Sequence, residues 1–186
     1  MKRAIVIVDA QNDFFPPNGA LAVPNADKIR TNLAKITEMA KDDNILLIKT
    51  MDCHDTNDPE FKVFPPHCVA ETTGQASILE CAANKAVVFN KKTYDVFHPE
   101  LGSKEIDEWL KKNKVTEVFV AGLVGNICVE AAVMGLLRRG IKVYVFENAT
   151  VWMELEKGIF CEGADNKELS VKRMKKAGVY FAVAKL

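Results

Sequence analysis

The chain of 186 residues has no surplus of charge: 25 Lys and Arg stand against 25 Asp and Glu. Proteins that grip nucleic acid or an anionic membrane carry a basic excess, so neither partner is expected. Long apolar runs are missing as well. The most apolar stretch, Val118 to Leu137, is broken by Asn126 and Glu130, whereas a membrane span needs about 20 apolar residues. The start, Met1-Lys2-Arg3 followed by Ala4 to Val8, is too short for a signal peptide, whose apolar stretch runs about 7–15 residues. Cysteine pairs are absent: the five cysteines, at 53, 68, 81, 128 and 161, are odd in number and form no CxxC. A disulfide framework is therefore not expected, and the chain reads as cytosolic with reduced thiols. No glycine-rich phosphate loop follows the first strand, where Asp9-Ala10-Gln11-Asn12 stands instead, which argues against nucleotide binding. The expected partners are a small molecule and a second copy of the chain, a homo-oligomer.

What is present is ordinary globular material, 48% apolar and 27% charged. At about 150 residues per domain the length predicts one domain, 1–186. Short β-branched runs alternate with helical patterns. Ala4–Val8, Ile45–Ile48, Ala86–Phe89, Val115–Ala121, Lys142–Phe146 and Val179–Val183 read as strands. Ile29, Leu33, Ile36 and Ala40 share one helical face, with Asn25 or Asp27 as the expected cap. Further helices are expected over Ala76–Ala83, from Ser103 through Leu110, over Asn126–Arg139 and over Asn166–Lys176. Residues 50 to 75 carry Pro59, Pro65, Pro66 and Gly74 without a period, and so long a loop in a compact domain is often functional. Strands apolar on both faces, alternating with helices, imply a parallel sheet covered on both sides. Right-handed crossovers make that a doubly wound three-layer α/β/α sandwich.

Such sheets bind ligands beyond the carboxyl ends of their strands. There the sequence places Asp9 after strand one, Asp52 and His54 after strand two, Lys91 after strand three and Cys128 after strand four. A cysteine attacks as its thiolate, so it needs help to lose a proton. A helix N-terminus, a lysine and a carboxylate can each supply that help. Alone, Cys128 would read as a small core residue, Asp9 as a turn residue, and Lys91 or Lys92 as solvated. Delivered together to one sheet edge, they favour a nucleophilic site.

The strand-end motif Val8-Asp9-Ala10-Gln11-Asn12-Asp13-Phe14 and the turn Gly122-Leu123-Val124-Gly125-Asn126-Ile127-Cys128-Val129, with a lysine closing strand three, resemble the isochorismatase-like cysteine hydrolases. The resemblance spans roughly residues 4 to 150. Strand alternation puts Val87, Phe89 and Lys91 on one side and turns Lys92 away, so the lysine is Lys91. The resemblance implies that Asp9 is general base and acid, Lys91 holds the thiolate–carboxylate pair, and Cys128 is the nucleophile. It also implies an oxyanion hole from the backbone N–H groups of Gly125 and Cys128, and a cis peptide at Val124–Gly125.

Two of only three histidines fall near a second carboxylate. Asp52 and His54 face one side of an extended chain while Cys53 faces the other. With His67 they make a two-imidazole, one-carboxylate set with open positions for a divalent metal. On spacing alone, a surface loop with two histidines is an equal alternative. The segment Phe64-Pro65-Pro66-His67-Cys68-Val69-Ala70-Glu71-Thr72-Thr73-Gly74 is similar to the nicotinamidase branch of the family. That resemblance implies a metal, usually zinc, on Asp52, His54 and His67, Phe14 as an aromatic pocket wall, and hydrolysis of nicotinamide to nicotinate and ammonia through a thioester. The branch usually has Trp where this chain has Cys53, and often His where it has Asp58. The alternatives are another hydrolase of the family, acting on a different small amide or on isochorismate, and a non-catalytic flavodoxin-like binding or redox domain.

Overall fold

The computed structural model describes residues 2–41, 44–79, 86–154 and 165–185. Six parallel strands form one sheet: β1 (Lys2–Val8), β2 (Ile45–Asp52), β3 (Ala86–Lys91), β4 (Val115–Gly122), β5 (Lys142–Thr150) and β6 (Tyr180–Ala182), in the order β3-β2-β1-β4-β5-β6. The helices are α1 (Arg30–Met39), α2 (Ile106–Lys112), α3 (Glu130–Arg138) and α4 (Lys167–Lys176). This is the doubly wound three-layer arrangement, and the strand order reverses between β1 and β4. A ligand crevice forms at that point because the connections leave β1 and β4 on opposite faces of the sheet.

Alternation along β1 builds both layers. Ile5 and Ile7 face Leu33 and Ile36 of α1 in one apolar cluster. Ala4, Val6 and Val8 face the other, with Ile106 and Leu110 of α2, Val133 and Leu136 of α3, and Met174 of α4. All six of the described β1 residues from Arg3 to Val8 pair with β2, and β3 follows β2 in step, so that Asp52 lies directly beside Lys91. The sheet register itself thus delivers a carboxylate and an ammonium side by side.

Several local expectations are corrected. Strand β2 runs four residues past Ile48, because Lys49 to Asp52 keep pairing with β3. Neither Asn25 nor Asp27 caps α1; a 3₁₀ turn, Ala26–Ile29, precedes it, with Asn25 at φ 65°. Of the helix expected over Ala76–Ala83, Ala76–Leu79 is bent, irregular chain with one bridge, Ser77 paired antiparallel to Gln11, and the rest lies outside the described residues. The helix expected from Ser103 begins at Ile106. The Asn126–Arg139 helix opens with an irregular π turn, Gly125–Val129, before regular α3. Among the described residues, no helix is long and apolar enough to cross a membrane.

Candidate active site

Asp9 ends β1 in a left-handed conformation, φ 51°, with 1% of its surface exposed. Its N–H donates to the Thr50 carbonyl at 3.1 Å, and the Thr50 hydroxyl donates to Asp9 Oδ1 at 2.9 Å. Lys91 Nζ lies 2.8 Å from Asp9 Oδ2 and also donates to Asp52 Oδ1. Lys92, by contrast, points to solvent and pairs with Asp55. Cys128 follows β4 in the π turn, within hydrogen-bonding reach of the Asp9 carboxylate. Asp9, Lys91 and Cys128 are therefore one cluster.

The charges in this cluster are set by burial against pairing. Burial raises the pKa of Asp9, Lys91 lowers it and Asp52 raises it again, leaving Asp9 at about 6. Burial opposes the charge on Lys91, but Asp52 and Asp9 outweigh it, so Lys91 keeps its proton well above the ordinary lysine range. Burial pushes the Cys128 thiol well above its usual value; Lys91 pulls it down, while Asp9 and Asp52 push it up. At neutral pH the resting cluster is a carboxylate and an ammonium facing a neutral thiol. A base and its proton donor are thus already in place for attack.

Asp9 and Cys128 open onto a cavity of about 290 Å³, with Phe14, Phe64, Tyr94, Val124, Ile127 and Met153 among its largely apolar walls. Asp52, Glu60 and His67 line it as well. The backbone assignment in the turn is corrected. Gly125 N–H donates to the Val151 carbonyl at 2.7 Å, so it is engaged and cannot serve an oxyanion. The cis bond is Leu123–Val124, not Val124–Gly125. No acceptor among the described residues takes the Val124 N–H.

Asp52, His54 and His67 come together, all three buried, with their ligand atoms within 4.8 Å of one another. His54 is fully buried, and no hydrogen bond among the described residues satisfies either of its ring nitrogens, Nδ1 or Nε2. Nε2 lies 4.0 Å from Asp52 Oδ2. His67 Nδ1 lies 2.9 Å from the Pro65 carbonyl, which leaves its Nε2 for the cluster. An orphaned buried imidazole nitrogen beside a carboxylate and a second imidazole suits a divalent ion of the zinc type.

Four residues that hold this site were not singled out from the sequence. Gln11, 0% exposed, clamps the backbone of Asp52: Nε2 donates to Asp52 O at 2.8 Å and Oε1 accepts from Asp52 N at 2.7 Å. Asp13 Oδ2 accepts the Cys68 N–H at 2.7 Å, next to His67. The Asn126 amide pairs with Met153 in the same two-way fashion, at 2.9 and 3.1 Å, fixing a cavity wall. Thr50 orients Asp9. Thr50 was findable, since it shares a strand face with Asp52 two residues on; the amide clamps depend on loops meeting, which no local pattern announces. Cys53, Cys68 and Cys128 are free thiols; Cys81 and Cys161 lie outside the described residues. His98 accepts the N–H groups of Glu100 and Leu101 through Nδ1, a local cap.

The isochorismatase domain model matches residues 3–184. The chain is 31% identical over 164 residues to the nicotinamidase/pyrazinamidase of Mycobacterium tuberculosis, covering 80% of this chain and 86% of that one. It is 28% identical over 173 residues to the nicotinamidase of Escherichia coli, covering 77% and 80%. Among solved structures it is similar to the pyrazinamidase of Pyrococcus horikoshii in complex with zinc, at TM-score 0.84 and 26% identity, over 99% of this chain and 100% of that one.

Proposed function

The chain belongs to the isochorismatase domain family, and on that premise we propose that it is a single-domain amidohydrolase that converts nicotinamide to nicotinate and ammonia, with Cys128 as nucleophile. One observation carries the reading: Asp9 and Cys128, from the cluster that Lys91 joins, and Asp52 and His67, from the set that His54 completes, line one small, mostly apolar cavity. The similarity to nicotinamidases and to a zinc-bound pyrazinamidase supports it.

In this reading the Cys128 thiol gives its proton to Asp9 as sulfur attacks the carboxamide carbon. The carbonyl oxygen becomes an oxyanion, held by the backbone N–H groups of Val124 and Cys128. The intermediate collapses, Asp9 protonates the departing nitrogen, and ammonia leaves a thioester on Cys128. Asp9 then takes a proton from water, which attacks the thioester; the carbon–sulfur bond breaks, Asp9 returns the proton to the Cys128 sulfur, and the acid is released. Lys91 holds Asp9 in place and balances the negative charge that passes between Asp9 and Cys128. Asp52, His54 and His67 would hold a divalent ion such as zinc, which when bound would supply Lewis-acid polarisation of the substrate ring. Phe14 walls the ring site. An anionic substrate such as isochorismate fits worse, because Asp9, Asp52 and Glu60 face the cavity and Lys91 is already paired with two carboxylates.

The test is ammonia release from a panel of small amides. Nicotinamide should be turned over far faster than benzamide, which lacks the ring nitrogen, and His67→Ala should abolish that preference. Equal rates on both amides, unchanged by His67→Ala, would defeat the nicotinamidase reading while leaving the Cys128 site to another amide.

A further inference from the structure

The two candidate histidine ligands are restrained in different ways. His67 Nδ1 faces the Pro65 carbonyl at 2.9 Å, and a carbonyl only accepts, so that nitrogen carries the proton and Nε2 carries the lone pair. No carbonyl plays this part for His54 among the described residues. Instead Asp58 Oδ2 stands 3.1 Å from His54 Nδ1, at ion-pair distance though not aligned as a hydrogen bond, on the ring edge opposite Asp52. Asp58 is itself anchored, since its Oδ1 accepts the Glu60 N–H at 2.9 Å and caps the turn Pro59–Lys62. Phe61 packs against the His54 ring with centroids 5.5 Å apart, which limits rotation of the ring.

We propose that Asp58 is the positioning residue of the metal site: it holds the proton on His54 Nδ1 and so leaves Nε2 bare, aimed between Asp52 and His67. The proposal rests on the reading that Asp52, His54 and His67 hold a divalent ion. Asp58 stays outside the ion's ligands, because the two nitrogens of an imidazole point away from each other and one ion cannot meet both. A second trio, His54, Asp58 and Glu60, also lies within bonding reach of itself. It would have to recruit Nδ1 as the ligand, and that makes the two arrangements experimentally distinct. A carboxylate behind a metal-bound imidazole orients the ring and raises its basicity, and its loss commonly costs 10–100-fold in affinity.

Asp58→Asn keeps the capping oxygen for Glu60 and the side-chain size, and removes the charge behind His54. Asp58→Ser keeps a capping oxygen but is too short to reach the ring. Nitrogen NMR of histidine-labelled, metal-free protein in mildly alkaline buffer should show His54 as the Nδ1–H tautomer in the wild type. Both variants should shift it toward the Nε2–H tautomer. Zinc affinity, measured by competition with a chromophoric chelator, should fall about 10–100-fold in both. In zinc-loaded wild type, Nε2 of His54 should be the nitrogen that carries the metal. An unchanged tautomer, an affinity within twofold of wild type, or zinc on Nδ1 would each overturn the role of Asp58. Failure of the wild type to bind zinc would instead sink the metal reading, and the metal-free tautomer would still decide whether Asp58 orients His54.

Discussion

Asp9 must hold a negative charge beside Lys91 and yet be willing to take a proton from Cys128. Burial supplies the willingness by raising its pKa to about 6, and Lys91 keeps it from rising further. The base must start unprotonated, so the rate should fall as pH drops through about 6. Lys91 is held protonated well above its usual range and should add no loss on the mildly alkaline side. A pH–rate profile on saturating nicotinamide checks both limbs; Asp9→Asn should remove the acid limb together with about 10²–10⁴ of the rate. The thiol is neutral at rest, because burial and the two carboxylates raise it. Cys128→Ala should therefore abolish turnover with the fold intact by circular dichroism, and a quenched reaction should show the acyl adduct by mass on Cys128 alone. Lys91→Ala should cost orders of magnitude in kcat, because a full charge leaves an enclosed site. Lys92→Ala, which removes only an exposed pair with Asp55, should change kcat less than twofold.

At the scale of the element, strand ends were the most legible part of the site and turns the least. Asp9, Asp52, Lys91 and Cys128 could be placed from the strand pattern because a parallel sheet sends every carboxyl end to one edge. Period-two alternation separated Lys91 from Lys92 for the same reason. The details of the nucleophile turn have no local signal, since which N–H is engaged depends on Val151, which follows β5, more than 20 residues on. The helix expected at Ala76–Ala83 failed at its start for a similar reason: Ser77 is drawn into a bridge with Gln11 and cannot continue a helical turn. Asp58 was visible as a departure from the family pattern, but its contact with His54 needed the turn Pro59–Lys62 to be seen. Close packing around the turn gives a sharp prediction. A Cβ added at Gly125 would lie 2.5 Å from the Trp152 ring. Gly125→Ala must push that ring or the turn aside, displacing Cys128, which sits three residues along. The loss should appear mainly in kcat, by about 10²-fold, as expected for a misplaced nucleophile. Trp152→Leu in the Gly125→Ala background should recover part of it, because the obstructing ring is gone.

The whole molecule separates its stability from its chemistry. Two apolar clusters, one on each face of the sheet, make up the core, and the His67 ring meets one of them at Phe14, with centroids 5.7 Å apart. Asp52, His54 and His67 sit at the carboxyl edge and in the long loop that follows β2, held there by Gln11 and Asp13 from the end of β1. Stripping a bound ion with a chelator should consequently leave the secondary structure unchanged by circular dichroism. It should still lower the melting temperature, because an ion that binds only the folded chain stabilises it by mass action. At a free zinc concentration about 100 times Kd that contribution is about 2.7 kcal/mol. For a chain of this length each kcal/mol moves Tm by about 2–4 °C, so zinc should raise Tm by roughly 5–10 °C. His67→Ala should abolish most of that increment and lower the metal-free Tm only by the few degrees that losing one ring contact with Phe14 at the edge of the core costs. Thermal scans of both proteins, with chelator and with zinc, give the four values needed. A wild-type Tm that does not respond to zinc would mean that the three side chains do not form a metal site. Collapse of the structure on chelation would overturn this separation, since it would mean that the loop, which touches the core through Cys68, is needed to hold that core together.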